Sequence, residues 1–325
     1  MFKLPNQIPT RRDTAQEWAD YAEFKSLQSS QVSLLQISRA SKLIGDEISV
    51  VGIEDETDQY ISKVDEIATE VKSRTLYTNN RYPFALIRND YVLQYQPKGD
   101  VYDLLYRFLL LTTRVNMSSD KNQGGVDGAL LFEHLSAVVA KNYFGANAEV
   151  EIIGTSKEER AGFRKKLKQI VEKMGEGGLI HEHKGYNPQD DSVDIIVWKG
   201  FSDKKPSKVI ALGQCKTGTS WQHETSQLNP QTFCKTWFTS QPIITPLNMF
   251  FTAQYFPDEK WKPLAYRGGL VFDRHRIMDY LPNEIEKALI KKIKTWCSAV
   301  EQTYNLNSLL ASESSNAQST TVSKT

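Results

Sequence analysis

Two apolar runs joined by a polar segment constrain this chain more than any other feature. Ser192-Val193-Asp194-Ile195-Ile196-Val197-Trp198 comes first, and Val209-Ile210-Ala211-Leu212-Gly213-Gln214-Cys215-Lys216 follows. Both read as strands, and the polar stretch between them reads as the turn of a hairpin. Asp194 opens the first strand and Gln-x-Lys closes the second. Gln214 and Lys216 lie two residues apart, so on a strand they share a face, while Cys215 points into the opposite layer. The hairpin therefore offers one carboxylate, one amide oxygen and one ammonium at the edge of a sheet.

Those groups suit phosphodiester hydrolysis. The reaction needs an activated water, charge neutralisation at phosphorus and help for the leaving oxygen, most of which a Mg²⁺ ion supplies. Mg²⁺ takes hard oxygen ligands and keeps several waters, so two or three protein oxygens suffice. Asp194 and Gln214 offer such oxygens, and the Lys216 ammonium can orient the attacking water or stabilise developing charge.

The rest of the chain supplies a setting. Helical spacing is expected over Thr14 to Leu27, Ser30 to Ala40, Asp55 to Arg74, Val101 to Val115 and Gly128 to Phe144. Ser156 to Met174 reads as a basic helix ended by Gly175, and Glu284 to Ser308 as a closing helix. Short strands are expected on either side of Arg88-Asn89-Asp90, at Leu179 to His183, at Asn248 to Ala253 and at Gly269 to Asp273. Met117 to Gly125 reads as a linker or ordered loop. These elements predict an α/β chain: an N-terminal, mainly helical α+β accessory domain over 1–120, a second domain over 121–310, and a disordered Ser/Thr-rich tail over 311–325.

The ordered set of Phe132-Glu133 on a helix, Asp191-Ser192-Val193-Asp194-Ile195-Ile196 on a strand and Gly213-Gln214-Cys215-Lys216 on the next resembles the PD-(D/E)XK nuclease superfamily. The nearest likeness is to its Mrr-like group, in which Gln replaces the acidic residue before x-Lys. The resemblance covers about residues 125 to 275. It implies a restriction-endonuclease-like core, a central mixed sheet flanked by helices. It also implies Asp194 and Gln214 as metal ligands, Lys216 as base or charge stabiliser, and Glu133 holding the metal or one of its waters. Two departures stand out. Pro188 is not adjacent to the acidic pair, and Ser192 replaces a Gly, which suits only a backbone without positive φ.

Other residues admit blander readings. Arg160, Arg164, Lys165 and Lys168 of the basic helix, with Lys166 and Lys173, could track a phosphate backbone or form a solvated face. Thr217 and Trp221, just after the second strand, are placed to meet DNA. Trp198, Trp237 and Trp261 read as core. His181-Glu182-His183 could join Cys215 or Cys234 on zinc, but no CxxC or HxxxH spacing supports it. Cys215 reads as a small buried hydrophobe; a nucleophilic thiol would need His223 beside it.

With 40 Lys and Arg against 39 Asp and Glu, the net charge of +1 neither announces nor excludes a nucleic-acid binder. Three cysteines give no disulfide framework. No apolar run approaches a membrane span and no signal-peptide pattern opens the chain, so a cytoplasmic protein is expected. The expected function is a Mg²⁺-dependent DNA endonuclease, with Mn²⁺ as a substitute, in bacterial defence against foreign DNA. A helicase or ATPase partner and a homodimer fit that setting. The alternatives are a non-catalytic or partner-dependent DNA-binding subunit of a larger complex, and a repair or junction-resolving nuclease.

Overall fold

The structure is a computed structural model that describes residues 7–10, 13–40, 53–153, 162–181, 192–218 and 225–304 of the chain. Arg160, Trp221, His223, the Glu182-His183 pair and the 311–325 tail lie outside the described residues.

The N-terminal part holds α1 (Ala15–Ser29), β1 (Gln31–Ser33), α2 (Leu34–Ala40), α3 (Ile53–Tyr77), β2 (Phe84–Ile87), β3 (Val92–Tyr95) and α4 (Val101–Arg114). The three strands form an antiparallel sheet in the order β1-β3-β2. Thr14 caps α1: its hydroxyl accepts from the Glu17 N–H, and the Glu17 side chain accepts from the Thr14 N–H. Asp100 caps α4 in the same manner. The stretch expected as one helix from Ser30 begins instead as β1, because Ser30 turns left-handed at φ 66 and breaks the helical path.

Next come a two-residue hairpin, β4 (Asn122–Gln123) and β5 (Val126–Asp127), and then α5 (Gly128–Phe144). The segment expected as a linker is this hairpin. Gly124 and Gly125 both adopt positive φ, the geometry that a two-residue turn requires. Asp127 caps α5 by accepting from the Ala129 and Leu130 N–H groups. A Cβ on Gly128 would meet the Trp296 ring at 2.5 Å, so only glycine lets α5 start against that indole.

The main sheet follows: β6 (Ala148–Ile152), α6 (Phe163–Met174), β7 (Ile195–Lys199), β8 (Val209–Lys216), α7 (Pro230–Trp237), β9 (Leu247–Thr252), α8 (Asp258–Gly268), β10 (Leu270–Phe272), α9 (Arg274–Asp279) and α10 (Lys287–Thr303). Its order is β10-β9-β8-β7-β6, with β7 antiparallel to its neighbours β6 and β8, and β8, β9 and β10 parallel. Leu179 to His183 contributes only an isolated bridge from Ile180 to Phe238 among the described residues.

Alternation along β7 and β8 sorts the core into layers. Ile195, Val197 and Ala211 pack with α4, α5 and α10. Ile196, Trp198, Ile210 and Leu212 pack with α6 and α7. The protein is thus mixed α/β, with a five-stranded mixed sheet covered by helices on both faces. No helix among the described residues is long and apolar enough to cross a membrane.

The first core layer runs without a break across the expected boundary at 120, joining Trp18 and Phe24 of α1 to Leu109 of α4, Phe132 of α5 and Trp296 of α10. A buried ionic cluster spans the same boundary. Arg74 of α3 donates to Asp20 (2.7 Å) and Glu23 (2.6 Å) of α1. Arg274 of α9 donates to both Asp20 carboxylate oxygens, at 2.9 and 3.1 Å. Burial pushes the Asp20 carboxyl up, but the Arg274 and Arg74 guanidinia outweigh it and hold the pKa below the usual value. Glu23 titrates above its usual range because burial dominates, and Tyr82 and Tyr106 donate to it.

Removing one partner of such a cluster strands a buried charge, at a cost of about 3–5 kcal/mol. Arg274→Ala is therefore expected to lose that much in urea unfolding. Because the core is shared, far-UV circular dichroism and tryptophan fluorescence should report one coincident transition. A separate early transition of the N-terminal part would show that the two parts fold independently.

Candidate active site

The register of β7 and β8 builds the site. Ile195 faces Gly213 in the last pair of the antiparallel ladder, and the Asp194 N–H also donates to the Gly213 carbonyl, so Asp194 bulges out beside that rung while Gln214 is the next residue outward on β8. Gln214 and Lys216, two residues apart on β8, share a face. Asp194, Gln214 and Lys216 lie at the end of the sheet where β8, β9 and β10 finish; Lys216 is level with Thr252 of β9.

Asp194 is buried, with 8% of its surface exposed. Its N–H donates to the Gly213 carbonyl at 2.9 Å, and its carbonyl accepts from Ile153 at 2.8 Å. Its Oδ2 accepts the Cys215 N–H at 2.7 Å, which pins the carboxylate against the end of β8. Burial raises the Asp194 pKa to about 6, against the opposing pull of the Cys215 N–H and the Lys216 ammonium.

Gln214 is 1% exposed. Its Nε2 donates to Gln227 Oε1 at 3.2 Å, while its own Oε1 is buried without a hydrogen-bond partner among the described residues. Leaving such an acceptor unpaired costs roughly 1–3 kcal/mol. Gln227, which the sequence reading missed, also accepts from Ser192 Oγ at 3.3 Å. It holds the Gln214 amide from one side and the Ser192 turn from the other. It sits in a mixed polar loop before Pro230, where no spacing or periodicity marks it.

Ser192 corrects an expectation. It has φ 53, the left-handed region where glycine would be easiest. The position does need positive φ, and serine accepts it at a cost of roughly 1–2 kcal/mol, two residues before the site carboxylate.

Glu133 comes from α5 in the opposite layer and is half-buried. Cys215 packs toward that layer, beside α5. Burial pushes the Cys215 thiol well above its usual pKa, and the Asp194 and Glu133 charges add to this. Both carboxylates therefore act on one thiol at the end of β8. A thiol so raised is not a thiolate nucleophile.

The oxygen types suit a hard divalent cation: the Asp194 carboxylate and the orphaned, buried amide oxygen of Gln214 both lie at the end of the β7–β8 ladder. Among the described residues no group of three or more His, Cys, Asp or Glu side chains forms a cage. A cation here would rest on few protein oxygens and keep much of its water, as Mg²⁺ does. The zinc alternative finds no such group. Cys215 and Cys234 belong to opposite faces of the sheet.

On α6, Phe163, Leu167 and Ile170 face the core, while Lys165 and Lys168 are exposed. Arg164 lies over the Trp237 ring at 5.9 Å. Met174, at the far end of α6, accepts through its carbonyl from Lys208 Nζ at the start of β8. Thr217 is half-buried directly beyond Lys216. Trp198 and Trp237 are core as expected, whereas Trp261 is half-buried on α8.

Comparison with family models, curated proteins and solved structures finds no match for this chain.

The raised Asp194 pKa has a consequence for stability. The folded carboxyl holds its proton to about pH 6, whereas its ordinary value is 3.8. The folded state binds more protons between those values, so this group's contribution falls as pH rises through that window and stays low above it. Two pKa units correspond to about 3 kcal/mol. In metal-free buffer, Asp194→Asn should be more stable than the wild type above pH 6 by an amount of that order. The advantage should shrink as pH falls toward 4. Urea titrations of both proteins across that range check it; a difference that does not change with pH would contradict the assignment.

Proposed function

We propose that this chain is a metal-dependent DNA endonuclease with a restriction-endonuclease-like, PD-(D/E)XK core of the Mrr-like kind. One observation carries the reading: the buried Asp194 carboxylate, the orphaned Gln214 amide oxygen and Lys216 all lie within three residues of the last rung of the β7–β8 ladder, Ile195–Gly213. The antiparallel β6, β7 and β8 that follow α5, with α6 between β6 and β7, support it, as does the exposed basic face of α6.

In this reading Asp194 and Gln214 hold Mg²⁺, and Glu133 completes the set from α5. When bound, the cation would lower the pKa of a water and neutralise charge at phosphorus. Lys216 faces the same space; its ammonium orients the attacking water or stabilises the charge that develops on the phosphate. The Cys215 N–H keeps the Asp194 carboxylate at a fixed angle, and Gln227 keeps the Gln214 amide oxygen turned away from itself. Arg164, Lys165 and Lys168 lead the phosphate backbone toward the site, with Thr217 closer in. A role in bacterial defence against foreign DNA, alongside a helicase or ATPase, is part of the proposal.

The net charge of +1 favours one second reading, a DNA-binding subunit that acts only with its partner. Purified protein with plasmid DNA and Mg²⁺ or Mn²⁺ separates the two. The nuclease reading expects cleavage that falls by about 100-fold or more in Lys216→Ala and Asp194→Ala, with unchanged circular dichroism. Undiminished metal-dependent cleavage by both variants removes the site assignment. Binding without cleavage under either metal, together with unaltered activity of the complex in site variants, favours the second reading.

A further inference from the structure

A cavity of about 880 Å³ lies between α3 and the C-terminal ends of β9 and β10. Its long wall is one face of α3, where Asp65, Glu66, Thr69, Glu70, Ser73 and Tyr77 recur at helical spacing. From Ser62 to Tyr77 that wall runs about 22 Å at the helical rise per residue. The facing wall comes from the β9–α8 connection, α8 and α9, with Tyr255, Phe256, Asp258, Glu259, Trp261 and Asp279. Seven of the lining residues carry carboxylates, and Arg276 is the one lysine or arginine among them.

The charge decides the ligand class. A phosphate backbone or a nucleotide would meet carboxylates on both walls and be repelled. The DNA path proposed above therefore does not run through this space. A metal ion does not suit it either. No three acidic, His or Cys side chains converge among the described residues, so the carboxylates are spread along the walls. Spread carboxylates on opposed walls match several positive charges held apart on a chain.

The aromatic surfaces point the same way. Arg276 already lies over the Trp261 ring at 4.3 Å, and Arg74 over Tyr255 at 4.0 Å. Rings in this wall thus already carry cations on their faces. The Nε2 of His275 is buried without a hydrogen-bond partner among the described residues. Burial holds the His275 pKa down to about 3, with Arg74 and Arg274 adding to the effect, so its ring adds no positive charge to the cavity.

We propose that this cavity binds an elongated organic polycation, with several ammonium or guanidinium groups on a flexible chain. Free polyamines and Arg-rich protein segments share that chemistry. The carboxylates of both walls take the charges along its length. The cavity joins α3 of the N-terminal part to the ends of β9 and β10, so its occupant touches both.

Isothermal titration of the full chain at low ionic strength, with spermine and with an acetylated tetra-arginine amide, tests this. The triple variant Asp65→Asn/Glu66→Gln/Glu259→Gln changes three exposed side chains and should fold. Each exposed charge pair contributes up to roughly 1 kcal/mol, so affinity should fall about tenfold or more in it. A control triple on other faces, Glu149→Gln/Asp203→Asn/Glu284→Gln, should leave affinity within about twofold. Binding of spermine alone assigns a free polyamine, and binding of the peptide alone a protein segment. Absence of binding by both probes, or equal loss in both triples, overturns the proposal. The readout is binding, so the result does not depend on the nuclease reading.

Discussion

The antiparallel register of β7 against β8 is the constraint on which the candidate site rests. One residue of slip would turn Gln214 and Lys216 to the other face of the sheet and carry them away from Asp194. Two features hold the register. Ile195, Ile196, Val197 and Trp198 are all buried, so each alternate residue is committed to a different core layer. At the open end, where the backbone ladder stops, the Asp194 side chain takes the Cys215 N–H and closes the strand pair. The carboxylate proposed to hold a cation is thus also the last rung of the hairpin.

A second constraint joins the N-terminal part to that sheet. Arg274 follows directly after Asp273 at the end of β10, reaches Asp20 on α1, and donates through Nε to the carbonyl of Ala253 just beyond β9. Arg74 reaches the same Asp20 from α3. Two guanidinia and two carboxylates fully removed from water stabilise little compared with apolar packing, because desolvation consumes most of the attraction. What such a cluster does supply is direction: only one arrangement of α1, α3 and α9 satisfies every charge. The first 120 residues are therefore oriented against the strand ends, whatever their function.

How much of this was legible in the sequence depends on whether the signal was local. The hairpin was legible because continuous apolar runs interrupted by Asp194 and Gln-x-Lys are a local pattern, and α5 was legible from its periodicity. β6 was missed: Ala148-Glu149-Val150-Glu151-Ile152 sits at the sheet edge, and two glutamates hide its apolar side. The helices α8 and α9 were missed because Pro263 interrupts the first and the second is only six residues long. The Gly124-Gly125 pair read as a linker because glycine marks flexible and tight turns alike; only the pairing of Asn122 with Asp127 separates them. The shared core and the ionic cluster were illegible because Asp20, Arg74 and Arg274 are distant in sequence, and each alone looks like an ordinary surface charge. Gln227 was illegible for the same reason.

The two ends of the main sheet differ in a way that bears on function. At the end where β8 to β10 finish, unfavourable features collect. Ser192 is left-handed, Gln214 keeps an orphaned oxygen, and burial raises Asp194 and Asp273 to about 6 while pushing His275 down to about 3. At the opposite end the buried Lys208 is well served. Its Nζ donates to the Met174 carbonyl, and its N–H donates to Glu176 at 2.7 Å. That end also has left-handed Lys204 and Ser207 and the orphaned Asn248 Oδ1, so it is the desolvated carboxyls that distinguish the end where β8 to β10 finish, where apolar residues would serve the core better. Groups kept in a costly state are most readily understood as groups held for a ligand that relieves the cost. Ligands of parallel strands meet the chain at their carboxyl ends. The same end of the sheet carries both the Asp194–Gln214–Lys216 cluster and the acidic cavity.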